Sequence, residues 1–191
     1  MTTALLIVDI QKEYFPGGKN PLVEPIPAAE NACRLLETFR YASLPVVYIQ
    51  HIATRQGATT FLPGTPGIEI HPLIQPREGE TIIQKHYPNS FRETTLLEHL
   101  RTLGTNKLVI CGMQTHMCVD AGVRAAVDFG FECRVAADAC ATKDLAFGGQ
   151  TVPAAHVHAA FLAALNASYA KVLPTGELLA DQSWINGTKS I

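Results

Sequence analysis

Two rhythms alternate along this 191-residue chain. Residues 4–8, 46–49, 81–85, 107–111, 133–137 and 171–173 are short, largely apolar runs, and they read as six strands. A run such as Ala4-Leu5-Leu6-Ile7-Val8 has no polar alternation, the pattern of a strand covered on both faces. Between the runs, apolar residues recur at helical spacing. Ala32, Leu35, Leu36 and Phe39 make one such stripe, and Leu96, Leu97, Leu100 and Leu103 a second. Val119, Val123, Ala126 and Val127 make a third, and Val157, Phe161 and Leu165 a fourth. Leu44-Pro45, Gly104 and Gly130 close the first three helices, and Pro153 opens the last. Strands that alternate with helices predict a parallel sheet with right-handed crossovers and helices on both faces. The expected fold is therefore α/β, a single-domain three-layer α/β/α arrangement around a six-stranded parallel sheet. Its core spans about 4–173, with 174–191 as a peripheral tail.

Two stretches fit neither rhythm. Residues 11–27 hold four prolines and two glycines and read as a loop. Residues 52–79 are also rich in proline and glycine. A connection that long in a compact domain serves as a lid or binding loop, or as an arm to another subunit. The sequence leaves both open.

Composition narrows the function classes. Apolar residues make up 47% and charged residues 17%, with a formal charge of −2. That balance gives no electrostatic reason to expect nucleic acid or an anionic membrane as partner. The amino-terminal apolar run lacks a basic flank and stops at Asp9, so neither a signal peptide nor a membrane span is expected. Five cysteines without C-x-x-C spacing argue against a disulfide framework and a zinc knuckle. A cytoplasmic protein is expected. The light charge, with many Ala and Leu residues, points to a homo-oligomer, a dimer or tetramer.

The candidate chemistry lies at strand ends. Asp9 follows the first strand, Lys85 closes the third, and Cys118 follows the fourth at the start of a helix. In a parallel sheet these ends share one edge, where ligands collect. A thiol at a helix amino terminus sits in a field that favours its anion. A carboxylate could take its proton, and an ammonium could stabilise the thiolate. Each residue also has an ordinary structural reading: Asp9 as a turn residue, Lys85 as a solvated charge, Cys118 as a small buried side chain. Cys33, Cys111, Cys133 and Cys140 are read in that last way.

The surrounding residues resolve the choice by resemblance. Asp9-Ile10-Gln11-Lys12-Glu13-Tyr14-Phe15 resembles the D-x-Q-x-x-F opening of the isochorismatase-like cysteine hydrolases. Lys85 through Ser90-Phe91 resembles their second motif, and Gly112-Met113-Gln114-Thr115-His116-Met117-Cys118-Val119 their G-x-x-T-x-x-C-V motif. Asp138-Ala139-Cys140-Ala141 resembles the D-A-C/T-A segment downstream. The four blocks stand in family order across nearly the whole chain. The resemblance implies Rossmann-like strand order and an Asp9-Lys85-Cys118 triad. It also implies a cis peptide between Met113 and Gln114, with the backbone N–H groups of Gln114 and Cys118 as an oxyanion hole.

Within such a family, hydrolysis of a small-molecule C–N amide or carbamoyl-type bond through a Cys118 thioester fits best. A vinyl ether hydrolase of the isochorismatase type and a non-catalytic metabolite-binding member are the alternatives. Nicotinamidases in the family carry a metal-binding Asp-x-His after the second strand. Residues 48–53 contain no such pair, only His51, and His71 reads as a surface-loop residue, so neither metal nor cofactor is expected. Phe15, Gln50, His51, Tyr87, Phe91 and His116 stand in or near strand-end loops as candidate contacts to a small-molecule substrate.

Overall fold

The structure, a computed structural model, describes residues 2–185. In chain order its elements are β1 (Thr2–Val8), α1 (Pro25–Tyr41), β2 (Val46–His51), β3 (Thr81–Lys85), α2 (Leu96–Thr102), β4 (Thr105–Met113), α3 (Asp120–Asp128) and β5 (Glu132–Ala141). They are followed by β6 (Leu145–Phe147), β7 (Gln150–Val152), α4 (Ala154–Ser168), β8 (Ala170–Leu173), α5 (Thr175–Ala180) and α6 (Gln182–Ile185). Six strands pair in parallel in the order β3-β2-β1-β4-β5-β8. From β1 the chain builds outward to β3, then returns to the middle at β4 and builds the other way. The connections leaving β1 and β4 therefore diverge, and a crevice forms between the carboxyl ends of these two neighbours. No helix among the described residues is long and apolar enough to cross a membrane.

The continuous apolar runs follow from coverage on both faces. Leu5 and Ile7 of β1 pack with Ala28, Ala32, Leu35 and Phe39 of α1 on one side. Ala4, Leu6 and Val8 pack on the other with Leu96 and Leu100 of α2, Val123 of α3 and Leu165 of α4.

Several boundaries differ from the sequence expectation, for physical reasons. Helix α1 starts at Pro25, inside the stretch read as loop. Proline is tolerated in a first helical turn, where backbone N–H groups have no intrahelical partner. Residues 145–152, which lie outside the six strand runs and four helical stripes, form the antiparallel β6–β7 hairpin. It turns at Gly148-Gly149, both at positive φ, as a tight two-residue hairpin requires. Strand β5 runs on to Ala141 through an irregularity: its register on β4 jumps from Ile110–Val135 to Gly112–Cys140.

The carboxyl-terminal segment is not peripheral as far as it is described. Leu178 and Trp184 are buried in the α1 face of the core. Asp138, in the irregular part of β5, accepts the N–H and hydroxyl of Thr175, each at 2.7 Å. Arg134 pairs with Asp181 at 2.7 Å and lies 4.0 Å over the Trp184 ring. Residues 186–191 lie outside the described part.

Residues 52–79 fold onto their own chain. Two short 3-10 turns, Pro66–Ile68 and Pro72–Ile74, punctuate the segment, and it buries Phe61, Ile70 and Ile74. Gln11 bridges to Ile70 in antiparallel fashion, and its amide donates to the carbonyl of Ile68 at 2.8 Å.

The approach of β1 to β4 at the crevice requires a glycine. Gly112 has φ +137°, and a Cβ there would lie 2.0 Å from the carbonyl oxygen of Val8. Gly112→Ala is expected to destabilise the fold by about 3 kcal/mol or more, combining left-handed strain with a backbone clash. Gly176→Ala in α5, where a Cβ meets nothing within 4 Å, should be neutral or stabilising by about 0.5 kcal/mol. Urea unfolding midpoints of the two variants check the contrast.

Candidate active site

Asp9 is the first residue beyond β1 and takes a left-handed backbone, φ +49°, which Asp tolerates better than most residues. Its N–H bonds the carbonyl of Ile49 on β2 at 3.0 Å, which fixes the turn. Lys85, the last residue of β3, places its Nζ 2.7 Å from Asp9 Oδ2, with both side chains 0% exposed. The same Nζ donates to the carbonyl of Tyr87 at 3.1 Å. The buried Asp9 carboxylate also hydrogen-bonds the Cys118 side chain. Cys118 lies in a π-type turn, Thr115–Val119, that joins β4 to α3, and it is 5% exposed. Its thiol interacts with both Asp9 and Lys85. The structure thus brings together the three residues that the sequence placed at separate strand ends.

Electrostatics set the resting protonation. Burial, then the Asp9 carboxylate, pushes the Cys118 thiol up to about 12, and Lys85 only partly offsets them. Helix-terminus stabilisation of the anion, expected from position alone, is outweighed. Burial works against the Lys85 ammonium, but Asp9 and Cys118 overcome it and its pKa is raised. Burial and the Asp9 carboxylate thus favour the thiol form of Cys118 over its thiolate. A thiol held in this way can attack a substrate only if its proton is taken as it does so.

The Met113–Gln114 peptide is cis. The Gln114 carbonyl accepts the N–H groups of Met117 and Val119 at 3.0 and 3.2 Å. Its own N–H donates to no backbone carbonyl among the described residues.

The candidate pocket residues divide. His51 reaches the site: it is half-buried, and its Nδ1 is buried without a hydrogen-bond partner among the described residues. Burial lowers the imidazole's pKa first, Asp9 opposes this, and Lys85 adds to it. Gln11 grips the His51 backbone from both sides, accepting its N–H at 2.8 Å and donating to its carbonyl at 2.9 Å. Gln50 instead ties the sheet edge to the long segment, donating to Ile68 and accepting from Gln84. The Tyr87 ring lies under Arg92 at 3.7 Å, and only its carbonyl meets Lys85. Phe91 is a core residue packed on Phe129 and Phe131. His116 bonds Thr142 through Nδ1 at 2.5 Å and packs edge-on to Phe161.

Phe15 is displaced as well. It stacks on His71 at 3.7 Å beside a cleft of about 590 Å³ that none of the three central residues lines. Its neighbour Tyr14 takes the place beside the thiol: burial, then Cys118 and Asp9, raises its hydroxyl pKa well above the ordinary value. The signal was available, since counting D-x-Q-x-x-F from Asp9 lands on Tyr14. His71 caps the Pro72–Ile74 turn through Nδ1. Among the described residues, no three His, Cys, Asp or Glu side chains group as metal ligands would.

A doubly wound parallel sheet carries a buried cysteine beside a carboxylate and an ammonium at its switch point. The Isochorismatase domain family model matches residues 3–177, and the chain belongs to the isochorismatase family of hydrolases. It is 51% identical over 179 residues to the uncharacterised isochorismatase family protein YddQ of Bacillus subtilis, covering 94% of this chain and 99% of that one. A solved isochorismatase hydrolase structure from Oleispira antarctica superposes with a TM-score of 0.90 at 53% identity, covering 94% of this chain and 96% of the other. Streptothricin hydrolase of Streptomyces noursei is 34% identical over 155–159 residues, 80% of this chain and at most 60% of the relative.

The protonation state is open to measurement. The difference in absorbance at 240 nm between the protein and its Cys118→Ala variant should show no thiolate from Cys118 up to pH 9. A Cys118 thiolate already present at pH 7 would contradict it.

Proposed function

We propose that this hydrolase cleaves a small-molecule C–N amide or carbamoyl-type bond through a thioester on Cys118. The observation that carries the reading is the fully buried 2.7 Å Lys85–Asp9 pair beside the nearly buried Cys118 thiol. Such an array suits acyl transfer to sulfur, because the proton that leaves the nucleophile is the one the amine needs on departure. Asp9 takes the Sγ proton as sulfur attacks the carbonyl carbon. The oxyanion is received by the backbone N–H groups of Gln114 and Cys118. The C–N bond then breaks, and the Asp9 carboxylic acid protonates the leaving nitrogen. Water, deprotonated by Asp9, attacks the thioester, the acid departs, and the thiolate recovers its proton from Asp9. Lys85 keeps its charge throughout and holds the Asp9 carboxylate in place. The streptothricin hydrolase relative supports a hydrolytic role.

In an ammonia-release screen of amides and carbamoyl compounds, Cys118→Ala should abolish turnover and the acyl-enzyme mass adduct. Asp9→Asn should lower kcat by about a thousandfold or more, the upper range for a positioned acid–base. Undiminished activity in Cys118→Ala would sink the thioester. Release of pyruvate from isochorismate, without ammonia from any amide, would favour ether hydrolysis instead.

A further inference from the structure

Phe61, in the long segment between β2 and β3, is 4% exposed and has φ +55°. A bulky side chain rarely takes that conformation, at a cost of about 1–2 kcal/mol. Both of its backbone groups are clamped. The N–H donates to Oε1 of Glu13 at 2.9 Å, and the carbonyl accepts the N–H of Ala53 at 2.9 Å. Glu13 is itself buried, and its Oε2 accepts the N–H of Lys19 at 3.3 Å. Gly67 presses on this carboxylate so closely that a Cβ there would lie 2.3 Å from Oε2. A buried carboxylate held by backbone N–H groups is costly unless those bonds are made. Here they fix one ring.

That ring meets two aromatic side chains beside the triad. Its centroid lies 5.0 Å from Tyr14 at 64°, and 5.2 Å from His51 at 80°, both edge-on. Tyr14 lies in the field of Cys118 and Asp9, and His51 in that of Asp9 and Lys85. We propose that Phe61 is a specificity-determining wall of the substrate pocket, with Glu13 as the positioning residue that holds it, so that the site takes compact, uncharged amides. The choice of amides rests on the function proposed above; the wall itself does not. Three aromatic side chains gathered beside the triad suit a compact substrate, and the Asp9–Lys85 pair offsets its own charges rather than those of a ligand.

The test uses two readouts on the full chain. The first is the rate of alkylation of Cys118 by iodoacetamide and by N-benzyl iodoacetamide, read by mass on the Cys118 peptide. The second is ammonia release from acetamide and from benzamide. Phe61→Gly keeps the left-handed backbone without strain and removes the ring. It should raise the bulky-to-small ratio at least tenfold, the scale on which a pocket wall discriminates. Phe61→Leu, which retains apolar volume, should raise it less. Glu13→Ala should move the ratio in the same direction, whereas Glu13→Gln, whose amide oxygen can still accept the Phe61 N–H, should stay within about threefold of the parent protein. Unchanged ratios in both Phe61 variants overturn the wall. A lower Tm in Glu13→Ala with an unchanged ratio overturns the positioning role. Alkylation ratios that shift while the parent protein hydrolyses neither amide would uphold the wall and count against the C–N reading. Amide hydrolysis with no shift in either ratio would do the reverse.

Discussion

A carboxylate and an ammonium 2.7 Å apart, neither touching solvent, place the heaviest demand on this fold. Removing either charge from water costs several kcal/mol, and mutual attraction compensates only if geometry is held. Taking away one partner would leave an uncompensated buried charge, typically about 3–5 kcal/mol of destabilisation. Asp9 and Lys85 come from strands separated by β2, so the register of three strands must be correct for the pair to form. Gly112 enters through the same demand, because it lets β4 close against β1 and bring the Cys118 turn alongside.

The segment following β1 organises what surrounds that pair. Gln11 binds the backbone of His51 and of Ile68, Lys12 pairs with Glu69, and Glu13 binds the backbone of Phe61. A connection as long as 52–79 carries many backbone polar groups, and those it buries need partners. Side chains of one short segment supply several of them. The long segment is thereby ordered with almost no regular secondary structure. At its far end, Arg40 of α1 grips Glu80, Gln75 and the Tyr48 hydroxyl, closing the segment against the sheet.

Six strands and four principal helices were legible because each is a local pattern. A strand covered on both faces needs every residue apolar, and a helix on a sheet needs a stripe every three to four residues. The four motif blocks named the family and the three central residues. The β6–β7 hairpin was missed although Gly148-Gly149 marks it, since the flanking runs are short and exposed. The carboxyl-terminal helices were missed because they are short, and Arg134, Asp138 and Trp184 dock them through contacts distant in sequence.

The direction of each side chain at the sheet edge belonged to the tertiary structure. Phe15 and Tyr14 are adjacent aromatics; the motif spacing favours Tyr14, but only the fold shows where each ring goes. The left-handed turn at Asp9 and the Lys12–Tyr14 helical turn send Tyr14 toward the thiol and Phe15 toward His71. Gln50 and His51 are likewise adjacent on β2 and point to opposite faces, one toward the long segment and the other toward the site. The protonation of Cys118 was also a tertiary matter. Its place at a helix start favours the anion, while burial and the Asp9 charge, assembled from other strands, favour the thiol. Local pattern is enough to build the scaffold and single out its candidate residues. Their orientation and charge state depend on neighbours that only the folded chain supplies.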